Sequence, residues 1–160
     1  MIFRDLKPDN VLIGEDGHLK LVDFGLSKEL HDFEDTATFC GSVAYLAPEM
    51  IKRKGHGKSM DWYMCGILLY EMLTGDPPFL STNKQKMFNN ITNAAVKIPK
   101  YVSVDAGDIL YALLDKNPNT RLGSRGAHEI MRHEFFVKID WNDIRQKKFP
   151  VPRPPKKPVR

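Results

Sequence analysis

The chain has 160 residues, 42% hydrophobic and 28% charged, enough for one core and too apolar for a disordered protein. Two cysteines, Cys40 and Cys65, exclude a disulfide framework, and without a CxxC or Cys/His cluster no structural zinc site is expected. The net charge of +4 lies in the tail: Arg145–Arg160 holds seven basic and no acidic residues, leaving seventeen basic against twenty acidic in residues 1–144. The body is therefore mildly acidic, and no nucleic-acid partner is expected.

The start, MIFRDLKPDN, turns polar too soon for a signal peptide. The most apolar run, Met64 to Leu73, carries Glu71 and is too short to span a bilayer. A soluble protein of the cytoplasm, or of the nucleus, is the expectation. Val11-Leu12-Ile13 and His18 to Val22 are β-prone and flank Glu15-Asp16-Gly17, which predicts a β-hairpin at 11–22 with Gly17 at positive φ. Residues 23–45 show no period, and Pro48 suits the first turn of a short helix.

Ser59 to Thr74 reads as the strongest helix, with Ser59 as N-cap, Asp61 in the first turn and Gly75 closing it. Its apolar residues nearly encircle it, which predicts burial on most sides. Further helices are predicted at Asn83–Ala94, at Val104–Asp115 with Ser103 as cap, and at Ala127–His133. The last sixteen residues, with five of the eleven prolines, read as an extended basic tail. The fold expected is mainly α with one hairpin: a unit at 1–144 and a tail at 145–160.

Asp5-Leu6-Lys7-Pro8-Asp9-Asn10 places two carboxylates, an ammonium and an amide within six residues. Alone, this reads as a charged turn with Pro8 at its corner. Functionally, Asp5 would accept or orient a hydroxyl proton, Lys7 would balance transferred-phosphate charge, and Asn10 would offer a hard oxygen to Mg²⁺. Asp23-Phe24-Gly25 follows the hairpin, and a hairpin between Asn10 and Asp23 returns the chain to where it began. The two oxygen ligands could then meet at one metal. Singly, Glu49, Asp61 and Arg121 read as structural: a helix-start carboxylate, a residue of a buried helix and a loop arginine.

In order and spacing, FRDLKPDN, LKLVDFG, TFCGSVAYLAPE, DWYMCGILLYEMLTGDPPF, LLDKNPNTRLG and HEFFVKIDW resemble the eukaryotic protein kinases. Within them they resemble the AGC serine/threonine group, most closely its protein kinase B and ribosomal-protein kinase branches. The resemblance covers residues 1–150 and implies the helical C-terminal lobe of a kinase-like α+β fold. It implies that Asp5 is the catalytic aspartate, Lys7 the catalytic-loop lysine, and Asn10 and Asp23 the metal ligands for ATP and Mg²⁺. Leu12, with Leu68 and Met72, would support the adenine site. Phe3 and Phe24 would stack in a hydrophobic spine anchored by Asp61, and Glu49 and Arg121 would form a buried ion pair.

Thr38 matches the activation-loop phosphothreonine, which implies an upstream activating kinase and a phosphate contact from Arg4. Ser42 matches the residue marking Ser/Thr specificity. Asp9 and Glu71 match carboxylates that receive basic residues near the target hydroxyl, so protein substrates carrying Arg or Lys are implied. Two positions depart from the pattern: Phe3 stands where His or Tyr is usual, and Ala44 replaces a frequent Glu. No glycine-rich phosphate loop and no strand lysine of the V-A-I-K type is present. The chain is therefore expected to be a partial catalytic domain, weakly active or inactive alone, with exposed apolar surface. The competing readings are a non-catalytic, kinase-like binding module and, least favoured, membrane contact through the basic tail.

Overall fold

The computed structural model describes residues 1–28 and 43–151. Thr38, Cys40, Ser42 and the tail beyond Val151 lie outside the described residues. The described chain is mostly helical, with one two-stranded antiparallel sheet. β1 (Val11–Ile13) pairs with β2 (Leu19–Leu21) in the register Val11–Leu21, Leu12–Lys20 and Ile13–Leu19. The turn forms as the sequence predicts. Gly17 takes φ 79° and donates to the Gly14 carbonyl at 2.9 Å, and Asp16 Oδ1 accepts from the His18 amide at 3.1 Å. Ile2 and Lys28 exchange backbone hydrogen bonds of 2.8 and 3.0 Å, so the chain start is tied to the segment that follows the hairpin.

Among the described residues six α-helices follow: α1 (Pro48–Ile51), α2 (Ser59–Thr74), α3 (Lys84–Asn93), α4 (Val104–Leu113), α5 (Ala127–Met131) and α6 (Trp141–Arg145). Asn83 and Ser103 cap α3 and α4 through their side chains, accepting from the amides of Lys86 and Ala106. Two expectations for α2 need correction. Its N-cap is Lys58, already in helical conformation, so Ser59 is the first helical residue and caps nothing. Burial is also confined to the first part of the helix, at Met60, Tyr63, Met64, Gly66 and Ile67, whereas Met72 is 68% exposed. All-round apolarity shows that neighbours could cover a helix, not that they do.

The N-terminal half of α2 is the centre of the core. Met60, Met64 and Ile67 pack with Ile2, Leu46, Met50, Ile91 and Leu110, each worth roughly 1.5–3 kcal/mol when fully buried. Gly66 permits close contact with α4, since a Cβ there would stand 2.9 Å from the Leu113 Cβ. A second cluster joins Ile109, Leu113 and Ile130 to Trp62, Leu122, Phe135 and Phe136. α6, absent from the predicted helices, is capped by Asp140 and holds Trp141 edge-on to Phe136 at 5.2 Å. Leu12, Ile13, Leu19 and Phe24 on and beside the hairpin are about half exposed or more. Among the described residues, no helix is long and apolar enough to cross a membrane.

Candidate active site

The site is built on a backbone that the core fixes. Asp61, in the first turn of α2, accepts from the amides of Phe3 (2.8 Å) and Arg4 (2.9 Å), one on each carboxylate oxygen. Arg4 has φ 72°, in the left-handed region, which turns these consecutive N–H groups toward one carboxylate. Burial pushes the Asp61 carboxyl up, and the two amides and Arg4 oppose that rise. The α2 helix thereby anchors the loop that carries Asp5. Phe3 meets Phe24 edge-on with ring centroids 5.2 Å apart, the stacking expected of that pair.

Asp5 is buried, and its Oδ2 receives two donors: Lys7 Nζ at 2.8 Å and Asn10 Nδ2 at 2.9 Å. Asn10 Nδ2 also donates to the Asp5 carbonyl at 2.8 Å. With its amide nitrogen so engaged, Asn10 has its side-chain oxygen left to offer a cation. The Asn10 carbonyl accepts from the Val22 amide at 3.0 Å, so the residue before Asp23 is fastened directly to Asn10. Asp23 has φ 60° and accepts from the Gly25 amide at 3.3 Å. Lys7 is held above the usual lysine range, first by its bond to Asp5 and further by the charges of Asp5, Asp9 and Asp23. The lysine thus lies in the field of all three carboxylates, and the hairpin gathers Asp5, Lys7, Asn10 and Asp23 into one neighbourhood.

The remaining expected residues divide between this centre and the frame. Glu49 and Arg121 form a buried bidentate pair at 2.7 and 2.9 Å. Arg121 also bonds the carbonyls of Ser59 and Asp115, each at 2.9 Å, and so ties α1, α2 and the loop after α4 together. Glu71 accepts from Tyr45 Oη at 2.6 Å, and burial together with Glu71 and Asp9 raises the Tyr45 phenol far above its usual range. Tyr45 was missed from sequence because a tyrosine in an aperiodic stretch carries no signal of its partner. Arg4 is buried with its Nε on the Leu26 carbonyl, and its Nη1 has no hydrogen-bond partner among the described residues. Leu12, on β1 two residues after Asn10, is 50% exposed.

Residues 1–136 match the family model described as "Protein kinase domain". The chain belongs to the protein kinase family. It is 45% identical over 156 residues to "Protein kinase 2" of Dictyostelium discoideum, covering 98% of this chain and 33% of that protein. It is 46% identical over 160 residues to "Ribosomal protein S6 kinase alpha-6" of Homo sapiens, covering 99% of this chain and 21% of that protein. To "Ribosomal protein S6 kinase 2 alpha" of Gallus gallus it is 47% identical over 162 residues, with 99% and 21% covered. The chain therefore spans a fifth to a third of the length of these kinases, and the ribosomal S6 kinase likeness agrees with the AGC-group motifs.

Proposed function

We propose that this chain carries the catalytic loop and metal-binding half of an ATP-dependent protein serine/threonine kinase. The observation that carries the reading is the bond network in which Lys7 and Asn10 share one oxygen of buried Asp5 while Asn10 is tied to the residue before Asp23. That donor set suits magnesium, which favours hard oxygens and usually takes one or two carboxylates with phosphate and water. Asn10 and Asp23 would hold it, with Leu12 beneath the nucleotide. Bound there, ATP would supply the transferable phosphoryl group and Mg²⁺ would offset its charge.

The chain's own residues then have distinct tasks. Asp5 orients the substrate hydroxyl and accepts its proton. Lys7, paired to Asp5 and kept protonated, offsets negative charge on the phosphoryl oxygens. Asp61 keeps the loop in its left-handed turn, so the aspartate cannot swing away. Asp9 and Glu71 receive Arg or Lys of the protein substrate, with Tyr45 orienting Glu71, and Ser42 marks serine or threonine rather than tyrosine as the target. Thr38 receives a phosphate from an upstream kinase, and the buried Nη1 of Arg4 is the donor that would meet it. The protein would act in the cytoplasm or the nucleus.

The test is a phosphotransfer assay on a basic serine peptide, comparing the 160-residue chain with a version extended upstream by a glycine loop and a strand lysine. The extended form should be active and should lose activity on Asp5→Asn or Asp23→Ala, with the short form near background. Activity that survives both substitutions would refute the assignment.

A further inference from the structure

A cavity of about 590 Å³ opens between the end of α1, the loop 52–59 and the loop 116–119, and it shares no lining residue with the Asp5 centre. Its charge is one-sided. Lys52, Lys54 and Lys116 line it, beside the buried ring of His56. Its one carboxylate is Glu49, whose two oxygens are already taken by Arg121 at 2.7 and 2.9 Å. Among the described residues, none of the three lysines has a carboxylate partner. Nearby Asp115 is engaged by the Asn117 amide at 2.9 Å and the Thr120 hydroxyl at 2.6 Å.

Lys116 is held in place rather than trailing in solvent. Its ammonium stands 3.7 Å above the centre of the Phe79 ring and donates to Tyr63 Oη at 3.2 Å. Burial, with the charges of Arg121 and Lys52, pulls its amine down to about 8. Burial is the larger cause, and the nearby cations add to it. In a body that is net acidic, these three lysines gather around one cavity.

We propose that this cavity binds a phosphoryl-bearing anion, held between Lys52, Lys54 and Lys116. The opening accommodates either the phosphorylated side chain of a protein or a free small phosphate, and the chemistry that recognises them is the same. This goes beyond the kinase reading and does not depend on it.

The test is isothermal titration of the full chain with pyrophosphate, with a short phosphoserine peptide, and with the unphosphorylated peptide. One-to-one binding of a phosphorylated probe is expected, weakening at higher salt. Lys52→Gln/Lys54→Gln should weaken it by about tenfold or more, the loss of one or more charge-assisted bonds. Lys116→Gln should do likewise. Lys20→Gln, on the hairpin, and Asp23→Ala should leave it unchanged, which separates this cavity from the nucleotide site. Tighter binding of the phosphopeptide assigns a protein source, and tighter binding of pyrophosphate assigns a small phosphate. Absence of binding to either, or equal weakening by Lys20→Gln, overturns the proposal. Should Lys116→Gln fail to fold by circular dichroism, the double variant at two exposed side chains decides alone.

Discussion

Glu49 and Arg121 are 5% and 0% exposed, and they join segments 72 positions apart in the chain. Glu49→Gln leaves the guanidinium in the interior without its counter-charge. Removing one partner of a buried pair costs roughly 3–5 kcal/mol, against a total stability on the order of 5–15 kcal/mol for a domain. With a urea dependence of about 2 kcal/mol/M, the unfolding midpoint should fall by about 1.5–2.5 M. Arg121→Met should be at least as harmful, because it strands the Glu49 carboxylate and frees the carbonyls of Ser59 and Asp115. The double variant Glu49→Leu/Arg121→Met removes both charges together and should recover about 2 kcal/mol or more relative to the sum of the single losses. Urea melts followed by far-UV circular dichroism read all three. A Glu49→Gln cost below about 1 kcal/mol, or strict additivity in the double variant, would refute the claim that this pair fastens α1 and α2 to the loop after α4.

Gly66→Ala should destabilise the chain by about 1–3 kcal/mol, because its Cβ would meet Leu113 Cβ at 2.9 Å and the Leu114 side chain at 3.0 Å; a midpoint unchanged in thermal unfolding would show that the two helices separate freely. Lys116 predicts a pH effect. Its amine titrates at about 8 when folded, against the ordinary lysine value of 10.5 when unfolded, so between those values the unfolded chain binds more protons and wild-type stability rises with pH. Allowing for solvent screening of a partly exposed amine, wild type should gain about 1 kcal/mol over Lys116→Met between about pH 7 and pH 10. Parallel stability curves for the two proteins would contradict this.

The sequence was most legible where structure is set by short-range chemistry. The hairpin, the positive φ of Gly17, the span of α2 and the caps Asn83 and Ser103 all follow from local turn and capping rules. The limit lay in what reaches a segment from elsewhere. Whether Met72 is covered depends on the neighbours of α2, and periodicity does not name them. Lys58 displaced Ser59 as the cap because the backbone turns helical one residue earlier. α6 was missed although Asp140 before Trp141-Asn142-Asp143 is a capping signal, since five helical residues are too few to show a hydrophobic period.

Within the site, residue types and spacing pointed to Asp5, Lys7, Asn10 and Asp23, and the family motifs supplied the roles. The left-handed Arg4, the bond from Tyr45 to Glu71 and the cation-lined cavity around Lys116 are visible only in the folded chain. Each depends on contacts between residues far apart in the chain, which no local pattern encodes.

The shared metal site is tested most directly by adding Mn²⁺ and a nonhydrolysable ATP analogue to ¹⁵N-labelled chain and reading paramagnetic broadening by NMR. Selective broadening of the Asn10 side-chain amide together with the backbone amides of Asp23 and Gly25, lost in both sets on Asp23→Ala, is the predicted result. Broadening of one set without the other, or broadening that persists in Asp23→Ala, would contradict it.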